Sequence, residues 1–223
     1  MLRRYKRFLA DVEYGDGRHE TVHCPNTGAM LGCREPGSRI WLSRAANARR
    51  KYPRTWEQVE NRAGTLVGIK TQRTNQLARE AIEAGAITPL FGFDELRAEV
   101  RVPDTRTRVD FVLRDGQGEY FLEVKNVTAA VTGRQALFPD AVSERAARHA
   151  RELGALCKAG QRAGMLFVAQ RDDVDEVRPA DEIDPVYGRA LREAAEAGVD
   201  VLACRARVTL EEIRVEGPVE VVL

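Results

Sequence analysis

The chain has 223 residues, of which 43% are hydrophobic and 31% are charged, and its formal net charge at pH 7 is +1. Its length and composition fit a globular protein with one large or two small domains. No apolar run approaches the roughly 20 residues of a transmembrane helix, and the basic N-terminus lacks the apolar core of a signal peptide, so we expect a cytoplasmic protein with no membrane partner.

The first 70 residues predict a small β-barrel. Patterns of apolar, β-prone residues predict strands over 3–14, 19–24, 39–44, 54–61 and 65–70, and turn-forming residues at 14–17, 25–28 and 35–38 separate them. Five short strands in about 70 residues are typical of an OB-type barrel, although other small barrels share this pattern. We therefore predict an all-β, OB-like five-stranded domain over residues 1–70.

The pattern changes after residue 70. Helical periodicity predicts helices over 75–85, 140–158 and 185–197, and apolar runs predict strands over 96–102, 107–114, 119–127, 164–170 and 199–204. The last of these strands is expected to close the sheet. The alternation of helices and strands predicts an α/β domain with a mixed sheet over residues 71–223.

One predicted hairpin places two acidic residues face to face. The turn over 115–118 pairs Arg114 with Glu119, and the same register sets Asp110 opposite Glu123, with Cβ atoms roughly 5 Å apart. Lys125 lies two residues further along and points to the same face. Two opposed carboxylates destabilise a sheet unless positive charge lies between them. A divalent cation and the lysine would supply that charge.

This spacing resembles the catalytic core of the PD-(D/E)xK nuclease superfamily. The resemblance implies that Asp110 and Glu123 hold Mg²⁺ and that Lys125 positions or activates the attacking water. In a nuclease of this kind we expect Mg²⁺ or Mn²⁺ at the two carboxylates, with the main-chain carbonyl of Val124 as a further ligand. The predicted order of helix, three strands, helix and strand is also that of the superfamily's core. The alternative is an exposed hairpin face with a Glu–Lys pair and a solvated Asp110.

A glutamate on the preceding helix often approaches the metal in this superfamily. Glu80 occupies such a helix here, and Glu99 is a second candidate for the same role. The alternative for Glu80 is a solvated helix residue paired with an arginine.

Positive charge is concentrated in the first part of the chain. Residues 1–85 hold 16 Lys and Arg against 9 Asp and Glu, which leaves 19 against 25 for the remainder. A loop between predicted strands combines positive residues with aromatic ones, which suits phosphate neutralisation and base stacking. The candidate nucleic-acid residues of this half are Arg4, Lys6, Arg44, Arg49, Arg50, Lys51, Tyr52, Arg54 and Trp56. The alternative is a solvated basic loop with Trp56 in the barrel core.

Two further residues are candidates for substrate contact in the second half. Arg145 shares a helix face with His149 and could reach a phosphate, and Gln170 ends the strand that follows this helix. Polar residues at the end of that strand often face a nuclease site.

Several longer motifs resemble the sugar fermentation stimulation protein A family across essentially the whole chain. They are Arg4-Tyr-Lys-Arg-Phe-Leu-Ala-Asp-Val12, His23-Cys-Pro-Asn-Thr-Gly28, Arg108-Val-Asp-Phe, Glu123-Val-Lys, Phe138-Pro-Asp-Ala-Val-Ser-Glu-Arg145 and Leu166-Phe-Val-Ala-Gln-Arg171. The resemblance implies an N-terminal OB-like domain and a C-terminal restriction-endonuclease-like domain. It also implies DNA binding and a role in regulating sugar (maltose) metabolism.

Two functions follow as alternatives. The first is a metal-dependent nuclease that hydrolyses phosphodiesters. The second is a non-catalytic, DNA-binding transcriptional regulator that retains a nuclease fold, because a fold does not by itself imply a function. The sequence leaves open whether the DNA is single- or double-stranded and whether the protein forms a homo-oligomer.

Overall fold

The structure is a computed structural model that describes residues 1–45, 47, 49–102, 105, 107–132 and 134–223. Its strands form two sheets, one of six strands and one of nine. In the described residues, no helix has the length and apolar character that spanning a bilayer requires.

The six-stranded sheet contains the first part of the chain. Its strands are β1 (Arg3–Tyr5), β2 (Leu9–Glu13), β3 (His19–His23), β4 (Ile40–Arg44), β5 (Arg54–Glu60) and β6 (Leu66–Gly68). The order is β1-β2-β3-β5-β4, with β6 also paired to β5. This sheet surrounds its own apolar core, which includes Val22, Met30 and Trp56.

The strand predicted over 3–14 is instead a hairpin of two strands, β1 and β2, so the described residues of this sheet form six strands where five were predicted. Tyr5 pairs with Leu9 across the turn. Lys6 and Arg7 have positive φ values of 50° and 63°. A left-handed backbone at two successive residues reverses the chain direction. Lysine and arginine are not residue types from which such a turn is predicted.

In the second part of the chain, the described residues form the nine-stranded sheet and three helices. The helices are α1 (Thr74–Glu83), α2 (Glu144–Lys158) and α3 (Pro185–Glu196). The strands are β7 (Glu95–Arg101), β8 (Arg108–Asp115), β9 (Gly118–Val127), β10 (Ala129–Thr132), β11 (Gln135–Phe138), β12 (Arg162–Ala169), β13 (Glu176–Pro179), β14 (Asp200–Val208) and β15 (Ile213–Val221). Short 3₁₀ turns cover Thr71–Arg73 and Thr88–Leu90.

The sheet order is β10-β11-β13-β15-β14-β12-β9-β8-β7. β12 lies parallel to both β9 and β14, whereas β8 and β15 are antiparallel to their neighbours β9 and β14. The sheet is therefore mixed, as predicted. β14 does not close it, because β15 pairs with the free side of β14 and continues the sheet through β13, β11 and β10.

Helices cover both faces of this sheet. α1 packs on one face against side chains such as Phe111, Leu122 and Leu166. α2 and α3 pack on the other face against Val112, Phe121 and others. Alternate residues of β8 and β9 thus enter opposite cores, which is the two-residue period of a strand buried on both faces.

The six-stranded domain is joined to the other domain near the ends of β9 and β12. The Gly68 N–H donates to the Gln170 carbonyl at 2.8 Å. The Met30 N–H donates to Asp140 Oδ2 at 2.7 Å, and the Gln58 side chain donates to the Thr209 carbonyl at 2.7 Å. The first domain therefore lies beside the ends of β9 and β12, where Lys125, Asn126 and Gln170 are found.

Candidate metal and nucleic-acid site

The hairpin of β8 and β9 has the predicted register. Arg114 pairs with Glu119, and the ladder continues to the pair Phe111 and Leu122. It ends one position before Asp110 and Glu123. There the Asp110 side chain replaces a main-chain partner, because its Oδ2 accepts a hydrogen bond of 2.7 Å from the Val124 N–H.

The neighbouring strand is also distorted at this point. Along β7 and β8 the pairs are Ala98 with Phe111 and Val100 with Val109, so Glu99 and Asp110 are left between them. Glu99 has a φ of 56° and is exposed, and its carboxylate lies 3.8 Å from the Arg108 guanidinium. Glu99 therefore projects to the surface.

Helix α1 supplies the second donor to Asp110. Asn75 Nδ2 donates to Asp110 Oδ1 at 2.8 Å. Burial and the negative charge of Glu123 raise the pKa of Asp110, against the opposing effects of the Val124 N–H, Asn75 and Lys125. Asp110 thus holds negative charge that its surroundings do not fully compensate, which is the electrostatic condition for attracting a cation.

Glu123 lies at the centre of a buried group of polar side chains and is 4% exposed. Lys125 Nζ donates to Glu123 Oε1 at 2.6 Å, and His149 Nδ1 forms a short hydrogen bond with the same oxygen. Burial would raise the pKa of Glu123, but the His149 bond and the Lys125 charge outweigh it and lower that pKa. Glu123 is therefore the carboxylate that stays ionised.

The contacts of His149 define its tautomer. Nδ1 faces the Glu123 carboxylate and carries the proton, since a carboxylate only accepts. Nε2 is then free to accept from Arg145 Nε, which lies 3.4 Å away. The sequence pointed to Arg145 and His149 as a pair for phosphate contact, but it did not reveal the bond to Glu123. The available signal was a histidine on the inner face of α2, between the buried Ala146 and Ala150.

Gln170 belongs to a buried polar network. Its Nε2 donates to Asn126 Oδ1 at 2.6 Å and to Thr74 Oγ1 at 3.2 Å, and the residue is fully buried. Thr74 Oγ1 in turn donates to Asn126 Oδ1 at 3.0 Å. Gln170 therefore supports the start of α1 from inside the protein. Because its side chain has no exposed surface in this fold, it cannot make the predicted contact with nucleic acid.

Glu80 lies on α1 but away from the Asp110 contact. It is five positions after Asn75, which is about 140° around the helix, so the two side chains do not share a face. Glu80 is exposed and accepts a hydrogen bond of 2.8 Å from Gln76. Its catalytic role stays a prediction, to which this placement adds no support.

The predicted basic loop is divided between surface and core. Arg44, Arg49, Arg50 and Lys51 are exposed, and Lys51 Nζ lies 5.5 Å from the centre of the half-buried Tyr52 ring. Trp56 is fully buried and donates its indole N–H to the Gln58 carbonyl at 2.9 Å. Its ring has no free face for a base, so the prediction of stacking on Trp56 was wrong and the alternative, a core residue, was right.

The four other predicted contacts differ in their surroundings. Arg4 Nη2 donates to the carbonyls of Asn26 and Gly28 at 2.7 and 2.8 Å, which fixes it to a turn. Arg54 Nε pairs with Glu20 Oε2 at 2.9 Å. Lys6 and Arg145 are exposed. Among the predicted contacts that the structure describes, the exposed cations are therefore Lys6, Arg145 and those of the loop.

The described residues contain no group of three or more His, Cys, Asp and Glu side chains arranged to hold a metal ion. Asp110 and Glu123 would thus supply only part of a metal's coordination shell. Mg²⁺ commonly binds one or two carboxylates and completes its shell with water and substrate phosphate. Such a cation suits this pair of residues better than a metal that needs an all-protein cage.

The comparisons with known families match nearly the whole chain. The family model described as the SfsA N-terminal OB domain matches residues 2–69. The one described as the sugar fermentation stimulation protein RE domain matches residues 72–212.

Curated relatives also match over most of both chains. A sugar fermentation stimulation protein homolog of Thioalkalivibrio sulfidiphilus is 56% identical over 208 residues, which are 93% of this chain and 87% of that protein. A homolog of Citrifermentans bemidjiense is 52% identical over 223 residues, covering 100% and 95% of the two chains.

A solved structure confirms the fold. It is described as Pyrococcus furiosus SfsA in complex with Ca²⁺, and it superposes with a TM-score of 0.88 at 29% sequence identity, covering 100% of this chain and 94% of that one. The predicted architecture of an OB domain followed by a second domain with a mixed sheet is therefore confirmed.

Proposed function

This chain belongs to the sugar fermentation stimulation protein family, and we propose that it is a DNA-binding, divalent-metal-dependent nuclease. The observation that carries the proposal is the hairpin of β8 and β9. It brings the carboxylate of Glu123 close enough to Asp110 to raise the pKa of Asp110, and Lys125 is bonded to Glu123.

The donor set fits Mg²⁺ or Mn²⁺. Both carboxylates provide hard oxygen ligands, which these ions prefer. The Val124 N–H points toward Asp110, and the carbonyl of a residue in an extended strand points the same way as its N–H. The Val124 carbonyl is thus suited to be a third oxygen ligand. The raised pKa of Asp110 also means that a cation would relieve an existing electrostatic cost.

The solved relative supports a divalent cation in this fold. The Pyrococcus furiosus protein is described as a complex with Ca²⁺. Ca²⁺ uses the same class of oxygen ligands as Mg²⁺ but accepts longer and more variable distances. We therefore expect Ca²⁺ to bind this chain and Mg²⁺ or Mn²⁺ to support cleavage.

A bound divalent cation would supply Lewis acidity, neutralising charge on the phosphodiester and making an attacking water more acidic. The residues of the chain hold the remaining groups in place. Lys125 keeps a positive charge 2.6 Å from Glu123 Oε1, where it can also orient a water by donating a hydrogen bond. His149 fixes the Glu123 carboxylate from the α2 side.

The exposed cations of the basic loop and Arg145 are the proposed contacts to the DNA backbone. Each guanidinium or ammonium group can neutralise one phosphate. Tyr52 is half-buried and has part of its ring available for stacking. This surface would bring DNA to the hairpin, and DNA binding is how we expect the protein to act in sugar metabolism.

One observation favours the second candidate, a DNA-binding regulator that does not cut. Glu123 Oε1 already accepts hydrogen bonds from both Lys125 and His149, so its negative charge is compensated without a metal. A regulator could keep this arrangement only to stabilise the fold. The two candidates are then distinguished by whether a divalent metal makes the protein cleave DNA or changes only its affinity for DNA.

The test is an assay of labelled single-stranded DNA, double-stranded DNA and RNA with Mg²⁺, Mn²⁺ or EDTA, alongside gel shifts in Ca²⁺. The wild type should cut at least one DNA substrate with Mg²⁺ or Mn²⁺ only, and Glu123→Gln should bind that substrate and not cut it. DNA binding by the wild type with no cleavage under any condition would refute the nuclease and leave the regulator.

A further inference from the structure

A row of polar side chains crosses one face of the six-stranded sheet. Thr55 on β5 pairs with His23 on β3 and with Ser43 on β4, and paired residues of neighbouring strands point to the same face of a sheet. Trp56, the next residue of β5, points the other way into the core of the domain. The polar row therefore lies on the side of the sheet that faces away from this core.

Glu57 holds two cations beside this row. It is 9% exposed, and its Oε1 accepts hydrogen bonds from Ser43 Oγ and, at 2.7 Å, from Lys70 Nζ. Arg73 Nη2 lies 3.2 Å from the other carboxylate oxygen, Oε2. The side chains of Lys70 and Arg73 remain 30% and 44% exposed. One buried carboxylate thus keeps two cations together at the surface.

Arg50 adds a third cation from the loop between β4 and β5. It is exposed, and its Nη1 donates to Thr55 Oγ1 at 3.4 Å. Three cations against Glu57 leave an excess of positive charge. The same excess acts on His23, whose pKa is lowered by burial and by the charges of Arg50 and Lys70. Positive charge concentrated over a polar surface attracts an anion.

This cation cluster, Arg50, Lys70 and Arg73, extends from the basic loop toward the proposed catalytic site. Lys70 and Arg73 belong to the segment that links β6 to α1. Arg73 lies two residues before Asn75, the residue of α1 that donates to Asp110. A nucleic-acid strand that runs from the basic loop to Asp110 would therefore pass Lys70 and Arg73.

We propose that the cation cluster is a phosphate site, which holds one phosphodiester group of the nucleic-acid strand between the basic loop and Asp110. The inference rests on the proposed function, because the strand at the hairpin supplies the phosphate. Guanidinium and ammonium groups form short, strong hydrogen bonds with phosphate oxygens. Lys70 and Arg73 would add contacts that neither the loop nor Arg145 provides.

The first test is the salt dependence of DNA binding in Ca²⁺ for Arg73→Gln, with Arg79→Gln as the matched control. Both arginines pair with a glutamate, and their side chains are 44% and 43% exposed. Arg79 lies six positions further on, about 9 Å along the helix, and pairs with Glu83. Arg73→Gln should lower the slope of log K against log salt by about 0.7 to 0.9, and Arg79→Gln should leave it unchanged.

The second test separates a nucleic-acid strand from free phosphate as the source of the anion. NMR titration follows the histidines with a short oligonucleotide or with inorganic phosphate at the same concentration. A bound phosphodiester neutralises Arg50 and Lys70, so the oligonucleotide should raise the pKa of His23. The pKa of His19, which lies near Glu13 at the other end of β3, should not change. An equal rise at His23 with inorganic phosphate would overturn the strand as the ligand.

An Arg73→Gln protein with the wild-type salt slope would overturn the phosphate site, as would a His23 pKa that bound oligonucleotide leaves unchanged. The proposed function fails separately. A reduced slope for Arg73→Gln in a protein that cuts no nucleic acid would refute the nuclease and leave the phosphate site. Cleavage by the wild type together with an unchanged slope for Arg73→Gln would refute only the phosphate site.

Discussion

Asp110 is the residue whose environment is hardest to explain by folding alone. It receives hydrogen bonds from Asn75 and Val124, yet burial and Glu123 still raise its pKa. A carboxylate with a raised pKa makes the folded state less stable at neutral pH than a neutral side chain would. Costs of this kind are typical of sites that are built for binding or catalysis.

Asp110→Asn should therefore stabilise the metal-free protein by about 1 kcal/mol at neutral pH. The Asn75 amide can flip and accept from the new side chain, so both contacts survive. Because the pKa is raised, the wild-type cost grows as pH rises from the ordinary value of 3.8 through the folded-state value. Urea unfolding in EDTA should show an advantage for the variant that shrinks as the pH is lowered, and a less stable variant at neutral pH would contradict this account.

Asn75 should matter for metal affinity more than for stability. Asn75→Ala removes the donor that orients Asp110 Oδ1, and the loss of such an outer contact typically weakens metal binding by about tenfold or more. The adjacent Gln76→Ala is the matched control, because Gln76 is exposed and bonds to Glu80 instead. Titration with Mn²⁺ should separate the two variants, and equal affinities would show that Asn75 does not support the site.

The sequence predicted those site residues that are close along the chain or joined by one hairpin. Glu123 and Lys125 are two positions apart, and the turn over 115–118 sets the register that brings Asp110 near them. Asn75, Asn126 and the His149 bond could not be found in this way, because they join the hairpin to α1, β12 and α2 through tertiary packing. Trp56 was ambiguous because a tryptophan among arginines fits both a binding surface and a core.

At the scale of single elements, one buried aspartate holds the starts of two helices together. Asp184 is 2% exposed; its Oδ1 accepts from the Tyr187 N–H at 2.9 Å to cap α3, and its Oδ2 accepts from the Ser143 N–H at 2.8 Å. Ser143 itself caps α2 through the Ala146 N–H. This cap explains why α2 begins at Glu144, four residues later than the sequence predicted.

Asp184→Ala should destabilise the protein by about 2–3 kcal/mol, since it removes a cap and leaves a buried N–H without an acceptor. Ser143→Ala should cost about 1 kcal/mol because it removes only one cap. The exposed Asp181→Ala, which loses a surface ion pair with Arg192, should cost less than about 1 kcal/mol. Denaturant unfolding gives the order, and an Asp184→Ala cost no larger than that of Asp181→Ala would refute the shared cap.

The elements missed from the sequence lie mainly on one side of the larger sheet. β15 contains Gly217 and Pro218, which in isolation predict a turn. In the fold this segment pairs with β14 beside a register shift between Arg205 and Ala206, where a strand tolerates such residues. β10, β11 and β13 have only four residues each, too few for alternation to be recognised.

At the scale of the whole molecule, the domain arrangement places the basic first part of the chain beside the candidate site. The basic first domain lies beside the ends of β9 and β12, near Lys125. The exposed cations of the loop are thus carried by the domain that borders the candidate site. The sequence predicted the two-domain architecture and the charge excess, but not this placement, which depends on long-range contacts such as that of Gly68 with Gln170.

Removal of three loop cations, Arg49→Ala, Arg50→Ala and Lys51→Ala together, should weaken DNA binding and make its salt dependence shallower. Each lost phosphate contact lowers the slope of log K against log salt by about 0.7 to 0.9. A control with Arg151→Ala, Lys158→Ala and Arg189→Ala removes the same charge from exposed positions on α2 and α3. Binding measured across a salt series should change much more in the loop variant, and equal changes in both would assign the effect to net charge alone.

The most direct test of the nuclease is the single-turnover cleavage rate of the best DNA substrate in Mn²⁺ for Lys125→Met, with the exposed Lys158→Met as the matched control. We predict that Lys125→Met slows cleavage by about a hundredfold or more while DNA binding in Ca²⁺ is unchanged, because Lys125 acts on the reacting groups and not on the DNA backbone. Lys158→Met should cut at the wild-type rate. Equal rates for Lys125→Met and the wild type, or Mn²⁺-independent cleavage, would contradict the assignment of the hairpin as the catalytic site.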